Sequence, residues 1–282
     1  MPTDPSIPDP GVAEQFKDLV FGRVVVPVPD QNKSPKKGKL GELNRLPYSS
    51  SLTWGTGFEY MEHSYIGDSI KLTLANGEPV AASSHKFQLP NGLVLTYGQI
   101  NALAGDFYGT YDPISDGKSD RDRYTRFVAA YNTLALRSPR QPKEANDILA
   151  VLQSEVNAVN DALIIHMDPS IAYSKLPDVT TKLEIITYGR SGIPGYIGLA
   201  QINWDHFGDD ARTAYNAGHA TAIREAIDGD LEGAYTQNAF ADHFLEDSFS
   251  SGHLRTPRRL LHKYPDVTAD ACAKVCADLP FC

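Results

Sequence analysis

The chain has 282 residues and a formal net charge of −9, from 35 Asp and Glu against 26 Lys and Arg, with 41% hydrophobic and 22% charged residues. That balance is ordinary for a globular protein and excludes a chain disordered throughout. The acidic surplus argues against a binder of duplex nucleic acid, which needs clustered Lys and Arg, and three Cys in this length do not make a disulfide scaffold.

No stretch approaches the ~20 apolar residues of a membrane-spanning helix. The first ten residues lack the apolar h-region of a secretory signal. The chain therefore reads as soluble and cytoplasmic. Residues 1–50 read as an irregular N-terminal arm, with an edge strand at Val24–Val28, where Pro27 limits ladder donors, and a basic, solvated run at Lys33–Lys39. Residues 51–282 read as a single mainly helical domain.

Two hairpins are expected over 70–95. Ile70–Leu74 alternates and runs into Asn76-Gly77, and Lys86–Leu89 and Leu93–Leu95 flank Asn91-Gly92; Asn-Gly between alternating apolar residues is the strongest short-range hairpin pattern. Thr96 with Gln99 three residues on reads as a capping box that opens a helix from Tyr97 to about Phe107. Apolar residues then recur at helical spacing over 121–136 and 144–165, and three more helices are expected at 193–206, 210–227 and 233–252. The fold class is mainly α, a multi-helix bundle with a small N-terminal β-hairpin element.

The most informative segment is Asn238–Arg259, NAFADHFLEDSFSSGHLRTPRR. His243 and Asp247 are four apart on a predicted helix and so share a face. Gly252 is expected to end that helix and let His253 swing back over the same face. Two neutral imidazoles and a carboxylate converging in this way suit zinc, which takes N and O ligands at ~2.0–2.2 Å. A His–Asp pair at this spacing is also an ordinary hydrogen-bonded pair, so a non-enzymatic helical protein in which such pairs tie helices together stays open.

The H-x3-D-x5-H pattern of His243, Asp247 and His253 resembles the zinc-binding core of the bacterial zinc-dependent phospholipase C family and of the fungal single-strand nucleases that share that site. The resemblance implies a mainly helical fold, clustered zinc ions and cleavage of phosphodiester bonds in a small-molecule substrate. It also implies an earlier bridging carboxylate and, before that, an early His. By order, Asp106 in YGQINALAGDFYG takes the first role, as metal ligand and catalytic group, and His63 in YMEHSYIGD takes the second, with Glu62 and Asp68 as weaker acidic candidates.

Asp106 is expected in the last turn of its helix, where the dipole disfavours a carboxylate by ~0.3–1 kcal/mol unless a cation compensates. His206 is placed at a helix end, which favours its charged form, and His219 four residues after Tyr215, which suits a Tyr–His hydrogen bond. Either is also able to complete a metal site, and His219 is counted among the ligands. His85, His166 and His262 read as structural or surface residues.

Arg255, with Arg258 and Arg259, stands where a guanidinium would steady an anionic or carbonyl-bearing substrate. The family's further H-x3-E or H-x3-D pair has no counterpart, because Pro265 breaks the helix that His262 and Asp266 would need. Cys272 and Cys276 read as thiols near the C-terminus or as thiolate ligands. A zinc lyase similar to the fungal cyclopenases is the alternative reaction. No nucleophile elbow, P-loop, dinucleotide fingerprint or H-E-x-x-H occurs.

Overall fold

Turn chemistry shapes the first part of the domain. The computed structural model describes residues 60–136, 140–168, 171–172, 175–177, 179–254 and 256–263. The expected arm at 1–50 with its strand and basic run, Arg255, and the three Cys lie outside the described residues. Helix α1 (Tyr60–Ser69) leads into two antiparallel pairs, β1 (Lys71–Thr73) with β2 (Pro79–Ala81) and β3 (Phe87–Gln88) with β4 (Val94–Leu95). Gly77 and Gly92 sit at φ 82° and 86°, the left-handed values that Asn-Gly turns require. Leu72, Phe87 and Leu95 point inward and are buried.

Helix α2 (Tyr97–Leu103) starts on the expected capping box, in which Thr96 Oγ1 accepts from Gln99 N and the Gln99 side chain accepts from Thr96 N. It ends four residues earlier than the periodicity suggests. Gly105 turns left-handed at φ 64°, and Tyr108 N donates back to the Leu103 carbonyl at 3.1 Å. Asp106 therefore sits in a tight loop beyond the helix, and the helix-dipole argument made for it does not apply.

The remaining helices are α3 (Asp120–Ala135), capped by Ser119, then α4 (Arg140–Ile164), α5 (Thr180–Thr187), α6 (Tyr196–Gln201), α7 (Gly208–Ile227), α8 (Leu231–Asp247), α9 (Ser251–Leu254) and α10 (Arg258–Lys263). The fold is thus mainly helical, with ten helices and two small strand pairs among the described residues. None of these helices is long and apolar enough to cross a membrane.

Two expected helices are broken. The 193–206 segment splits into α6 and a 3-10 turn, Trp204–His206. The 233–252 helix stops at Asp247, where Ser248, Phe249 and Ser250 tighten to i−3 hydrogen bonds on Leu245, Glu246 and Asp247. Gly252 is therefore not the terminator, and His253 sits in the separate short helix α9.

Helix α8 packs against both α7 and α2. Phe240 on α8 meets Phe127 and Tyr131 of α3 edge-on, with ring centroids 5.8 Å apart in both pairs. Away from this core, Arg190 is buried and donates to Glu144 Oε1 at 2.6 Å and to the carbonyls of Phe107 and Pro194. This buried pair ties the Asp106 loop to α4.

The α7–α8 seam depends on one missing methyl group. A Cβ on Gly218 would stand 2.3 Å from Phe127 Cε2 and 2.6 Å from Ala241 Cβ. Gly218→Ala is expected to destabilise the protein by about 1–3 kcal/mol through overpacking, despite the helix-propensity gain of about 1 kcal/mol from replacing Gly. Thermal unfolding of the variant against the parent chain measures it, and an equal or higher midpoint would show that the seam relaxes freely.

Candidate metal centre

Four segments bring their imidazoles to one buried carboxylate. Helix α1 supplies His63, the 3-10 turn supplies His206, α8 supplies His243 together with Asp247, and α9 supplies His253. His63, His243 and Asp247 are essentially sealed from solvent, and His206 nearly so. The period of α8 explains part of this convergence: His243 and Asp247 share its inner face, while Phe240 and Phe244 fill the core beside them.

Each imidazole is oriented by a specific acceptor. His243 Nδ1 donates to the Asn101 carbonyl at 3.0 Å, which leaves Nε2 facing Asp247 Oδ2 at 3.5 Å. His63 Nδ1 donates to Glu246 Oε2 at 2.7 Å, which turns Nε2 towards Asp247 Oδ1 at 3.6 Å. Glu246 is held in turn by Asn101 Nδ2 at 2.7 Å. His206 Nδ1 donates to Asp247 Oδ2 at 2.7 Å, and its Nε2 stands 4.0 Å from Asp106 Oδ1. His253 Nδ1 is 3.9 Å from Asp247 Oδ1, with its ring against Phe207.

Two overlapping groups have the donor set and closeness to hold a metal ion: His63, His243 and Asp247, and Asp106, His206 and His243. Tetrahedral coordination at ~2.1 Å places neighbouring ligand atoms about 3.4 Å apart, and the contacts of His63 and His243 with Asp247 lie close to that spacing, at 3.6 and 3.5 Å. Asp247 Oδ1 is buried and accepts no hydrogen bond among the described residues. A buried carboxylate oxygen without a donor is costly unless a cation compensates it. His243 Nε2 carries one lone pair, so the two groups cannot both use it at once.

The electrostatics have the sign of a cation site. Burial disfavours charge on His63, yet the carboxylates of Asp247 and Glu246 outweigh it and lift the imidazole to about 10. Burial also opposes charge on His206, and Asp247 overrides it and raises this group too. His243, deeply buried beside His63, is pushed well down, and burial brings His253 down to about 4. Burial alone would raise Asp247, but the surrounding imidazoles hold it well below the usual carboxylate range. Asp106 is raised, first by burial. The carboxylates push His63 and His206 towards their charged forms, and a divalent cation bound here would compete with those protons.

Of the expected site residues, the structure brings together His63, Asp106, His243 and Asp247, with His253 at the edge. It does not bring His219, which corrects that expectation. His219 Nδ1 donates to Asn238 Oδ1 at 2.7 Å and its ring stacks on Tyr215. Asn238 in turn donates to the Tyr97 hydroxyl, and that hydroxyl donates to Asp242. His219 thus belongs to a separate polar seam between α7 and α8.

The weaker candidate Asp68 is a helix cap, accepting from Gly98 N at 2.8 Å and Thr96 Oγ1 at 3.1 Å. Arg258 and Arg259 turn into the protein: Arg258 binds Asn203 and the Ala200 carbonyl, and Arg259 binds Asp210, Asp116 and Ser115. They are not free to steady a substrate. Glu246 and the full part played by His206 are the residues that periodicity alone misses. The sequence cue for Glu246 was its place three residues after His243 and next to Asp247. Compared with known proteins, the chain matches no family model, no curated relative and no solved structure.

The loop carrying Asp106 fits against the imidazoles only because residue 105 lacks a side chain. A Cβ there would stand 2.6 Å from His206 Cε1 and 2.9 Å from His243 Cδ2, at a φ of 64° that is itself unfavourable for alanine. Gly105→Ala is expected to cost about 1–3 kcal/mol of stability and to weaken metal binding at least tenfold. Calorimetric titration with Zn²⁺ alongside thermal melts measures both; unchanged affinity would mean that the loop does not set the position of the two imidazoles.

Proposed function

We propose that this cluster binds zinc and that the protein is a zinc-dependent hydrolase acting on a phosphoester of a small molecule. The observation that carries the reading is the set His63, His243 and Asp247, whose ligand atoms all lie within 4.8 Å of one another, with Asp247 Oδ1 buried and undonated among the described residues. The H-x3-D-x5-H resemblance supports the reaction class, since the families that carry it cleave phosphodiesters. A zinc ion in such a cradle supplies a Lewis acid that polarises a phosphoryl oxygen and lowers the pKa of bound water.

The chain's own residues do the rest. Glu246 and the Asn101 carbonyl hold the Nδ1 hydrogens of His63 and His243, so both rings present Nε2 inward. Asp247 bridges the set through both oxygens. Asp106 and His206 Nε2 form a neighbouring position, consistent with more than one ion. Asp106 is the most open member, its side chain 31% exposed against 1% for Asp247, so substrate approaches from its side. In that place Asp106 is the carboxylate that can share a ligand role with contact to the reacting water.

The test combines metal analysis with a model reaction. The purified protein is expected to carry at least one zinc per chain, and chelation is expected to lower its melting temperature, since an ion held 100- to 1,000-fold above its Kd contributes about 3–4 kcal/mol. His243→Ala is expected to lose the metal and at least ~100-fold of bis-p-nitrophenyl phosphate hydrolysis. A protein without bound transition metal and with full stability in chelator would leave the histidines as helix ties and end the proposal. A zinc protein inert on phosphodiesters would retain the metal centre and move the reaction to carbonyl chemistry of the lyase kind.

A further inference from the structure

We infer that Arg259 is a positioning residue for the metal centre: helix α10 acts through it as a latch on the turn that aims His206. This inference rests on the metal-binding reading of the cluster.

Every residue of the turn Asn203–His206 has a partner in another segment, and α10 supplies two of the four. Arg258 Nε donates to Asn203 Oδ1 at 2.8 Å, and its Nη2 donates to the Ala200 carbonyl at 2.7 Å. The Arg259 guanidinium lies over the Trp204 ring, its Cζ 5.0 Å from the centroid, and His262 approaches the same indole at 5.1 Å. Trp204 Nε1 is buried with no hydrogen-bond partner among the described residues. Ring contacts, rather than a hydrogen bond, therefore hold the indole in place.

Asp205 is fixed from the other side. It accepts from Ile114 N at 2.5 Å, from Ser115 N at 3.0 Å and from Ser115 Oγ at 2.5 Å. Ser115 Oγ is the joint between the two sets, because it also accepts from Arg259 Nη2 at 3.0 Å. The same guanidinium grips Asp210 at the start of α7 through Nε at 3.1 Å and Nη2 at 2.9 Å, and it pairs with Asp116.

One planar cation thus joins three segments around the turn: the 114–116 turn, the indole of Trp204 and the first turn of α7. The next residue after Asp205 is His206, whose Nδ1 binds Asp247 and whose Nε2 faces Asp106. Its ring is not set by a long regular helix, since the turn is only three residues long. The latch supplies the rigidity that secondary structure does not. Lysine cannot substitute fully, because it lacks the fork that reaches Asp210, Asp116 and Ser115 together.

The experiment uses the full chain with Zn²⁺ and Co²⁺ as probes. Metal affinity is measured by competition with a chromophoric chelator, and ligand geometry by the d–d absorption of the Co²⁺ form. Arg259→Met is expected to keep the helical circular dichroism and to weaken metal binding several-fold to ~10-fold, the low end of what losing a direct partner of a metal ligand costs, because Arg259 reaches His206 only through its neighbours. It is also expected to shift the Co²⁺ band, and Arg259→Lys to fall between Met and the parent chain.

Ser115→Ala, a mild change, is expected to weaken binding several-fold and to add little to Arg259→Met, since both interrupt one path. It carries the test should the Met variant fail to fold. Variants that melt earlier yet keep the parent's affinity and Co²⁺ spectrum would overturn the inference and leave α10 a stabilising element only, as would fully additive losses. A parent chain that takes up neither ion would instead refute the metal-binding reading itself, and the latch with it.

Discussion

The buried carboxylate of Asp247 is the point on which the rest of the arrangement turns. It lies at the C-terminal end of α8, where the helix dipole already makes the local potential negative, and its side chain is 1% exposed. Such a charge is tolerated only with compensation. His63 on α1 and His206 in the 3-10 turn, both pushed towards their charged forms, supply it, and His243 one turn back on α8 and His253 just beyond stand beside the same carboxylate. These segments are far apart in sequence, so satisfying this one group organises the interior end of the domain. The break after Asp247 follows from the same need: a helix continued to Gly252 would carry His253 past the cluster instead of beside it.

Half of that organisation was readable from residue order, and the physical reason is range. His243 and Asp247 are related by helical period, Thr96 and Gln99 by a local cap, and the two Asn-Gly turns by backbone conformation. All of these are short-range rules, and each element stands where they place it. His206 and Glu246 answer to partners 41 and 183 residues away in the chain, and no spacing rule reaches that far. His219 reads from the sequence as a hydrogen-bond partner of Tyr215 or a further ligand; instead its ring stacks on Tyr215 and its Nδ1 bonds Asn238, so the face of α7 on which it lies meets Asn238 rather than Asp247.

Asp106 joins the cluster from a different element than the one expected. Its placement at a helix end supplied an electrostatic motive for a nearby cation, but the helix stops at Leu103. In the loop it stands 4.0 Å from the Nε2 atoms of both His206 and His243. What made the loop possible is Gly105, whose positive φ turns the chain and whose missing side chain lets the backbone lie against two imidazoles. The buried pair of Arg190 with Glu144 steadies the far end of the loop, since Arg190 also holds the Phe107 carbonyl. A polar network well away from the cluster thereby helps to hold the loop that carries Asp106.

A site assembled from several independent segments has a consequence for how the protein folds. No pair of the candidate ligands except His243 and Asp247 is preformed by local structure, so in the unfolded chain the donors are scattered. On the metal-binding proposal, binding energy would accrue only as the tertiary structure closes, and metal affinity and fold stability would be two readings of one equilibrium. Several local devices hold the surrounding segments in place. The capping box on α2 delivers the Asn101 carbonyl, the tight turn after Asp247 delivers His253, and α10 clamps the His206 turn. Each device removes freedom that the cluster would otherwise have to remove for itself, and a cation entering a pre-aligned set of donors loses less of its binding free energy to ordering the protein.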